Sequence, residues 1–115
     1  MIRRVSFIRR KAGLTAQEFF AHWTGRHAEI VRQLPGLRGL RFSQVERCVP
    51  QDAGWDGVGE TWFDSIADAD RAFATEPFLA LLTEDRKKFI GDAHSCYVEE
   101  SPLIEPVASD GGSRT

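Results

Sequence analysis

Three histidines, His22, His27 and His94, are the side chains in this chain whose ordinary pKa near 6.5 suits them to take up and release a proton around neutrality. His27 stands out among them. Stepping about 100° per residue around a helix axis places Phe19, Phe20, Trp23, His27, Ile30, Val31 and Leu34 within one arc about 120° wide. His27 lies near the middle of that arc, so it faces the core side of its helix with Trp23 one turn before it and Val31 one turn after. Two readings follow from that position: a core histidine with both ring nitrogens satisfied by neighbours, or the acid-base residue of a pocket opening beside the helix. His22 falls about 120° from the centre of the arc, beside Arg26, where a solvated flank residue is expected. His22 and His27 are five positions apart, which keeps them off a shared α-helical face and disfavours a histidine pair on a metal. No Ser-His-Asp constellation, Gly-rich phosphate loop or cluster of metal-ligand spacing is visible, and neither metal nor cofactor is expected.

The helix that carries His27 announces its own ends. Thr15 and Glu18 form a Thr-x-x-Glu capping box, with Leu14 and Phe19 placed for the hydrophobic staple, so the helix starts near Ala16. Leu34 is the last residue of the apolar pattern, and Pro35-Gly36 behind it stops the helix.

Ahead of this helix, Ile2 to Arg10 alternates as a strand with Val5 and Phe7 on one side. After it, Leu37 to Arg47 predicts a second strand, and a loop from Cys48 to Asp56 carries Trp55. Gly57 to Phe63 predicts a third strand whose one face holds Val58, Glu60 and Trp62. On the core side, Glu60 would be a carboxylate in apolar surroundings, paired or raised in pKa; on the water side it would be a surface charge. Asp64 or Ser65 caps a second helix with Ile66, Ala69, Ala72 and Phe73 along its inner stripe, and Glu76-Pro77 ends it. Pro77 can begin a further short helix carrying Phe78, Leu79, Leu81 and Leu82 under a lid or at an interface. Thr83 to Lys88 is charged, Phe89-Ile90 returns to the core, and Ser95 to Glu100 predicts a fourth strand with His94 at its entrance and Tyr97 on the face opposite Cys96 and Val98.

The element order is β-α-β-β-α-β, an α+β, ferredoxin-like arrangement. Right-handed crossovers give a four-stranded antiparallel sheet in the order 4-1-3-2 with both main helices on one face. The other face keeps enough apolar positions that a second copy is its expected cover.

Several of these stretches together resemble a known family. Phe-Ile-Arg-Arg-Lys-Ala-Gly-Leu-Thr-x-x-Glu-Phe, His-Trp-x-x-x-His at 22 to 27, Leu-Pro-Gly-Leu-Arg-Gly, Glu-Thr-Trp-Phe-Asp and the terminal Val-Glu-Glu are similar to EthD-domain proteins of the dimeric α+β-barrel superfamily. The resemblance runs over about residues 2 to 101, and its most specific part joins Trp23 and His27 to the Pro-Gly-Leu-Arg-Gly turn. It implies two sheets packed face to face in a homodimer, and relatives that act as dehydratases, cyclases or decarboxylases on aromatic and polyketide-like compounds. It also favours the site reading of His27, with Trp23 as the aromatic beside it.

Length and composition agree with one domain. A chain of 115 residues with 42% hydrophobic content buries one core and does not divide comfortably into two. We place the domain at 1–102, with a C-terminal arm from 103 that could lie on the partner subunit and a disordered tail over Ser109 to Thr115. A net charge of -2 with 28% charged residues lacks the basic footprint of a nucleic-acid binder. No apolar run approaches the roughly 18 residues that span a bilayer, so a cytoplasmic protein without membrane contact is expected. Cys48 and Cys96 have no metal-type spacing and are expected as separate thiols.

Two function classes remain open. In the first, His27, with Glu60 as a second catalytic group, performs cofactor-free lyase, dehydratase, isomerase or cyclase chemistry on a small aromatic or hydroxylated carbonyl compound, with Trp23, His22, Trp62, Phe89, Tyr97 and His94 around the substrate. In the second, the chain binds a ligand without turning it over, haem or a hydrophobic metabolite being candidates.

Overall fold

The computed structural model describes residues 1–108, so the tail expected to be disordered lies outside the described residues. Four strands, β1 (Ile2–Arg10), β2 (Gly39–Gln44), β3 (Gly57–Phe63) and β4 (Ile90–Val98), form one antiparallel sheet in the order β2-β3-β1-β4, the expected order read from its other edge. The helices are α1 (Ala16–His22), a π-helical turn over Trp23–His27, α2 (Ala28–Val31), α3 (Ile66–Ala74) and α4 (Phe78–Phe89). The first three run on from one another as a single rod, ending three residues before Leu34, which is nonetheless buried. Its start is the capping box read from the sequence: Thr15 Oγ1 accepts from the Glu18 amide at 3.0 Å, and the Thr15 amide donates to Glu18 Oε1 at 2.8 Å.

Strand pairing sets which residues share a face. On the helix side, one row across the sheet is Leu40, Thr61, Arg4 and Tyr97, the next is Phe42, Gly59, Ser6 and Ser95, and the third is Gln44, Gly57, Ile8 and Ala93. The middle row has no bulky side chain on three of its four strands, so the sheet floor is low there. Apolar packing rises on either side. One cluster joins Val31, Leu34, Phe63, Ala69 and Ala72; the other joins Ile8, Phe19, Trp23 and Phe89. Trp23 lies close against the sheet because β3 carries glycine beneath it: a Cβ at Gly57 would overlap the indole, and one at Gly59 would stand 3.2 Å from it. Phe42 completes the stack, its ring 4.3 Å from the indole and nearly parallel.

Three boundaries differ from the sequence reading. β2 runs over Gly39–Gln44, starting two residues after Leu37 and ending three before Arg47. α4 does not stop before Thr83 but continues through the charged run to Phe89, because Leu82, Asp85 and Phe89 sit three and four residues apart on its inner side while Glu84 and Lys87 pair on the outside. β4 consequently starts at Ile90, directly after α4, and His94 is a mid-strand residue rather than an entrance. The extra length pairs with β1 through Arg9 and Asp92, whose side chains also form an ion pair at 2.6 Å. Cys48 and Cys96 are free thiols. After β4, Leu103, Ile104 and Val107 are at least nine-tenths exposed. No helix among the described residues is long and apolar enough to cross a membrane.

The seat of Trp23 supplies a test of this packing. Gly57→Ala forces an extra methyl into a closed core and is expected to destabilise the chain by about 1 to 3 kcal/mol, with Gly59→Ala milder. Urea unfolding of both variants checks the order; equal midpoints for Gly57→Ala and the parent chain would mean that the indole is not fixed against β3.

Candidate active site

A cleft of about 450 Å³ opens between the sheet and the helices over the low middle row. Trp23, His27 and Val31 form one wall, Phe73 and α4 residues Leu79, Leu82, Thr83 and Arg86 the other, and Arg4, Ser6, Gly59, Thr61 and Ser95 lie along its floor. It is the size of a small-molecule site, mostly apolar with a few polar groups. Ser6 and Ser95, opposite each other on β1 and β4, are joined hydroxyl to hydroxyl at 2.7 Å.

His27 enters this cleft with its ring already held. Its Nδ1 lies 3.0 Å from Asp85 Oδ2, and His22 Nε2 lies 3.0 and 3.1 Å from the two oxygens of the same carboxylate. An ionised carboxylate only accepts, so both imidazoles donate to Asp85. His27 is therefore the Nδ1–H tautomer, and its Nε2 has no hydrogen-bond partner among the described residues. Asp85 is 3% exposed. Lys88 Nζ, 4.0 Å from Oδ1, is the cation at its outer edge. Phe89 is fully buried behind the pair, with its ring 4.9 Å from His27 and 4.7 Å from His22.

An α-helix would not place two histidines five residues apart on one carboxylate. The π-helical turn does, because its bonds run from residue i to i+5 and bring residues five apart closer in angle. Two local features go with it: Gly25, a poor helix former, sits inside the turn, and the Thr24 hydroxyl donates back to the Phe20 carbonyl at 2.8 Å. The expectation that His22 stands on a solvated flank is corrected by this geometry. His22 is half-buried, reaches Asp85 rather than the cleft, and acts on His27 through the shared carboxylate.

The remaining expected residues divide by strand parity. Trp23 lines the cleft. Glu60 occupies a position in the cleft floor, but its side chain lies with Val5 and Arg3 on the opposite face, where Arg3 Nη1 donates to Glu60 Oε2 at 3.0 Å. Of the two readings kept for Glu60, the structure gives a paired carboxylate on the face away from His27. Trp62 shares that face, under Arg3 and Arg41 at 5.8 and 5.4 Å. His94 is there too, edge-on to Trp55. Tyr97 is on the helix side, but its hydroxyl donates to Asp70 at 3.2 Å and it does not line the cleft. Phe89 is behind the histidines, not beside a substrate. The group that sequence reasoning missed is Asp85, inside the charged run Glu84-Asp85-Arg86-Lys87-Lys88. Its signal was its spacing from Leu82 and Phe89, which puts an acid on an apolar stripe.

The electrostatics follow from this burial. Burial pulls His27 below the ordinary imidazole value, against the bond and charge of Asp85, while His22 and Arg86 push the same way as burial. Burial alone would raise the Asp85 carboxyl, but bonds from His27 and His22 and the charge on those rings hold it below the usual carboxylate range. His27 is thus a neutral base at pH 7. The unfolded chain takes up that proton first, so stability from this site is full above about pH 6.5 and falls as pH drops below it. Urea midpoints at pH 7.5 and 5.5 are expected to fall further apart for the parent chain than for His27→Gln. An equal fall in both would show that His27 does not titrate differently on folding.

The EthD domain profile matches residues 11–93 of this chain. No curated protein matches it. Among solved structures, the chain is similar to an EthD family protein from Bacillus halodurans, at 20% identity and a TM-score of 0.73, over 88% of this chain and 99% of that one. It is also similar to the hydroxynitrile lyase of Passiflora edulis, at 14% identity and a TM-score of 0.69, over 90% and 96% of the two chains. A dimeric protein of unknown function and ferredoxin-like fold from Bacteroides fragilis aligns at 10% identity and a TM-score of 0.64, over 86% and 95%. At such identities the likeness to these structures speaks to the fold, while the profile match spans most of the domain, and the chain belongs to the EthD-domain family.

Proposed function

We propose that this protein is a cofactor-free acid-base catalyst of the lyase, dehydratase, isomerase or cyclase type, acting on a small aromatic or hydroxylated carbonyl compound in the cleft beside His27. The observation that carries this reading is the bond from His27 Nδ1 to buried Asp85, which leaves Nε2 without a partner among the described residues on a ring that lines the cleft. His27 Nε2 removes a proton from carbon next to the substrate carbonyl. The imidazolium that forms is stabilised by Asp85, and the same nitrogen returns the proton to a leaving hydroxyl, giving water, or to another atom of the enolate, giving an isomer. Phe42 and Phe73, half-buried residues that line the cleft, offer apolar surface for an aromatic ring, and the solved lyase with this fold makes such chemistry compatible with the architecture.

His27→Gln is expected to keep the fold and lose about 10² to 10⁴-fold in turnover of the true substrate, the weight of one general acid or base. A panel of hydroxylated and aromatic carbonyl compounds with no cofactor added is the assay. Full turnover in a folded His27→Gln protein contradicts the proposal; a Soret band on adding haem that disappears with His27→Gln places the chain in the ligand-binding class instead.

We infer in addition that the protein is a homodimer through the sheet face that carries no helix. Val5, Phe7, Val58 and Trp62 share that face, and an antiparallel sheet with one apolar face uncovered gains most by pairing with its own copy. Light scattering at micromolar concentration is expected to give twice the chain mass of 12.9 kDa. A monomer mass with the fold intact would remove the dimer.

A further inference from the structure

Five arginines in this chain are matched with acids: Arg3, Arg9, Arg10, Arg38 and Arg71 each hold a carboxylate. Two arginines in the cleft are not. Arg4 on β1 and Arg86 on α4 both line it, and among the described residues no carboxylate oxygen lies within 4.0 Å of either guanidinium. Unpaired arginines such as Arg26 and Arg32 stand in water, whereas Arg4 is half-buried. Its guanidinium carbon sits 4.3 Å from the centroid of the Phe73 ring, a stacking contact that leaves the N–H edges available. Asp70, whose charge reaches Arg4, accepts its hydrogen bond from Tyr97 instead.

A second observation marks the same end of the cleft. Thr61 is directly opposite Arg4 on β3, is 7% exposed, lines the cleft, and its buried Oγ1 has no hydrogen-bond partner among the described residues. A buried hydroxyl left without a partner costs stability unless something else binds it. Arg86, one residue beyond Asp85 and exposed, stands at the rim, so a bare cation on the floor, a bare hydroxyl beside it and a second cation at the mouth line the same cleft as His27.

We propose that this end of the cleft is an anion subsite, and that the compound worked on by His27 is an acid whose carboxylate lies between Arg4 and Arg86 and accepts from the Thr61 hydroxyl. A guanidinium fork matches a carboxylate in shape as well as charge. The anchored acid group would leave the rest of the molecule toward Trp23 and His27, and a neutral analogue would leave Arg4 and Thr61 unmatched. The inference rests on the reading of this cleft as a small-molecule site, and it deepens that reading by naming the substrate class.

Binding separates the two claims because it needs no turnover. Benzoate, 4-hydroxybenzoate and 1-naphthoate, each paired with its neutral amide, are titrated calorimetrically into the full chain at low and high salt. At least one acid is expected to bind tenfold or more tightly than its amide, less so at high salt, and His27→Gln should keep that preference. Arg4→Gln should abolish it, and Arg86→Gln, at an exposed rim position, should cut it at least threefold, which keeps the test open if Arg4→Gln disturbs the sheet. No acid preferred over its amide, or a preference unchanged in Arg86→Gln, overturns the subsite. Loss of turnover in His27→Gln with no acid preference would sink this inference alone and leave the acid-base reading standing.

Discussion

One carboxylate buried under two imidazoles is the constraint on which this site depends. Asp85 is shielded from water, and a bare charge there would be costly, so it must be met by donors on several sides. His27 and His22 meet it, each through a charge-assisted bond of about 1.5 to 3 kcal/mol. The helical rod opens into a π turn to bring both rings to one acid, and Phe89 backs them. Trp23, the first residue of that turn, lies close against the sheet only because Gly57 and Gly59 give it room. Acid, turn, indole and glycines therefore form one arrangement reaching from α4 to β3.

The arrangement also explains how a histidine on an apolar helix face becomes a base. A core histidine satisfies both nitrogens; here the second nitrogen has no partner among the described residues, and the ring lines a cleft where Gly59, Ser6 and Ser95 leave space. Desolvation lowers the proton affinity of His27 and Asp85 opposes that, so the ring stays neutral at pH 7 while its imidazolium still has a counter-charge. The Asp85–His27 pair resembles the acid-histidine half of a hydrolytic triad, an arrangement that would suit the proposed proton transfer.

Most of the architecture was legible because it rests on local signals. Alternation in β1 and β3, the Thr15-Glu18 box, the Pro35-Gly36 stop and the stripe of α3 are properties of a few neighbouring residues, and together they imply the β-α-β-β-α-β order. The site was less legible because its parts are read by rules that assume regular geometry. Placement at 100° per residue separates His22 from His27, and only the π turn, hinted at by Thr24-Gly25, removes that separation. Asp85 sits among five consecutive charged residues that read as a solvated stretch, so its inward position shows only once α4 is known to extend to Phe89. Strand parity grouped Glu60 with Trp62 correctly but could not say which face was inward; the glycines under Trp23 decide that.

The chemistry proposed for this cleft turns on the protonation state of His27, which nitrogen-15 NMR of the imidazole rings reads directly. At pH 7 the His27 ring is expected to carry its proton on Nδ1 with Nε2 bare, and to titrate below the ordinary value of about 6.5. A His27 ring protonated on Nε2 at pH 7, or carrying both protons there, would contradict the claim that Asp85 holds it as the free base of the cleft.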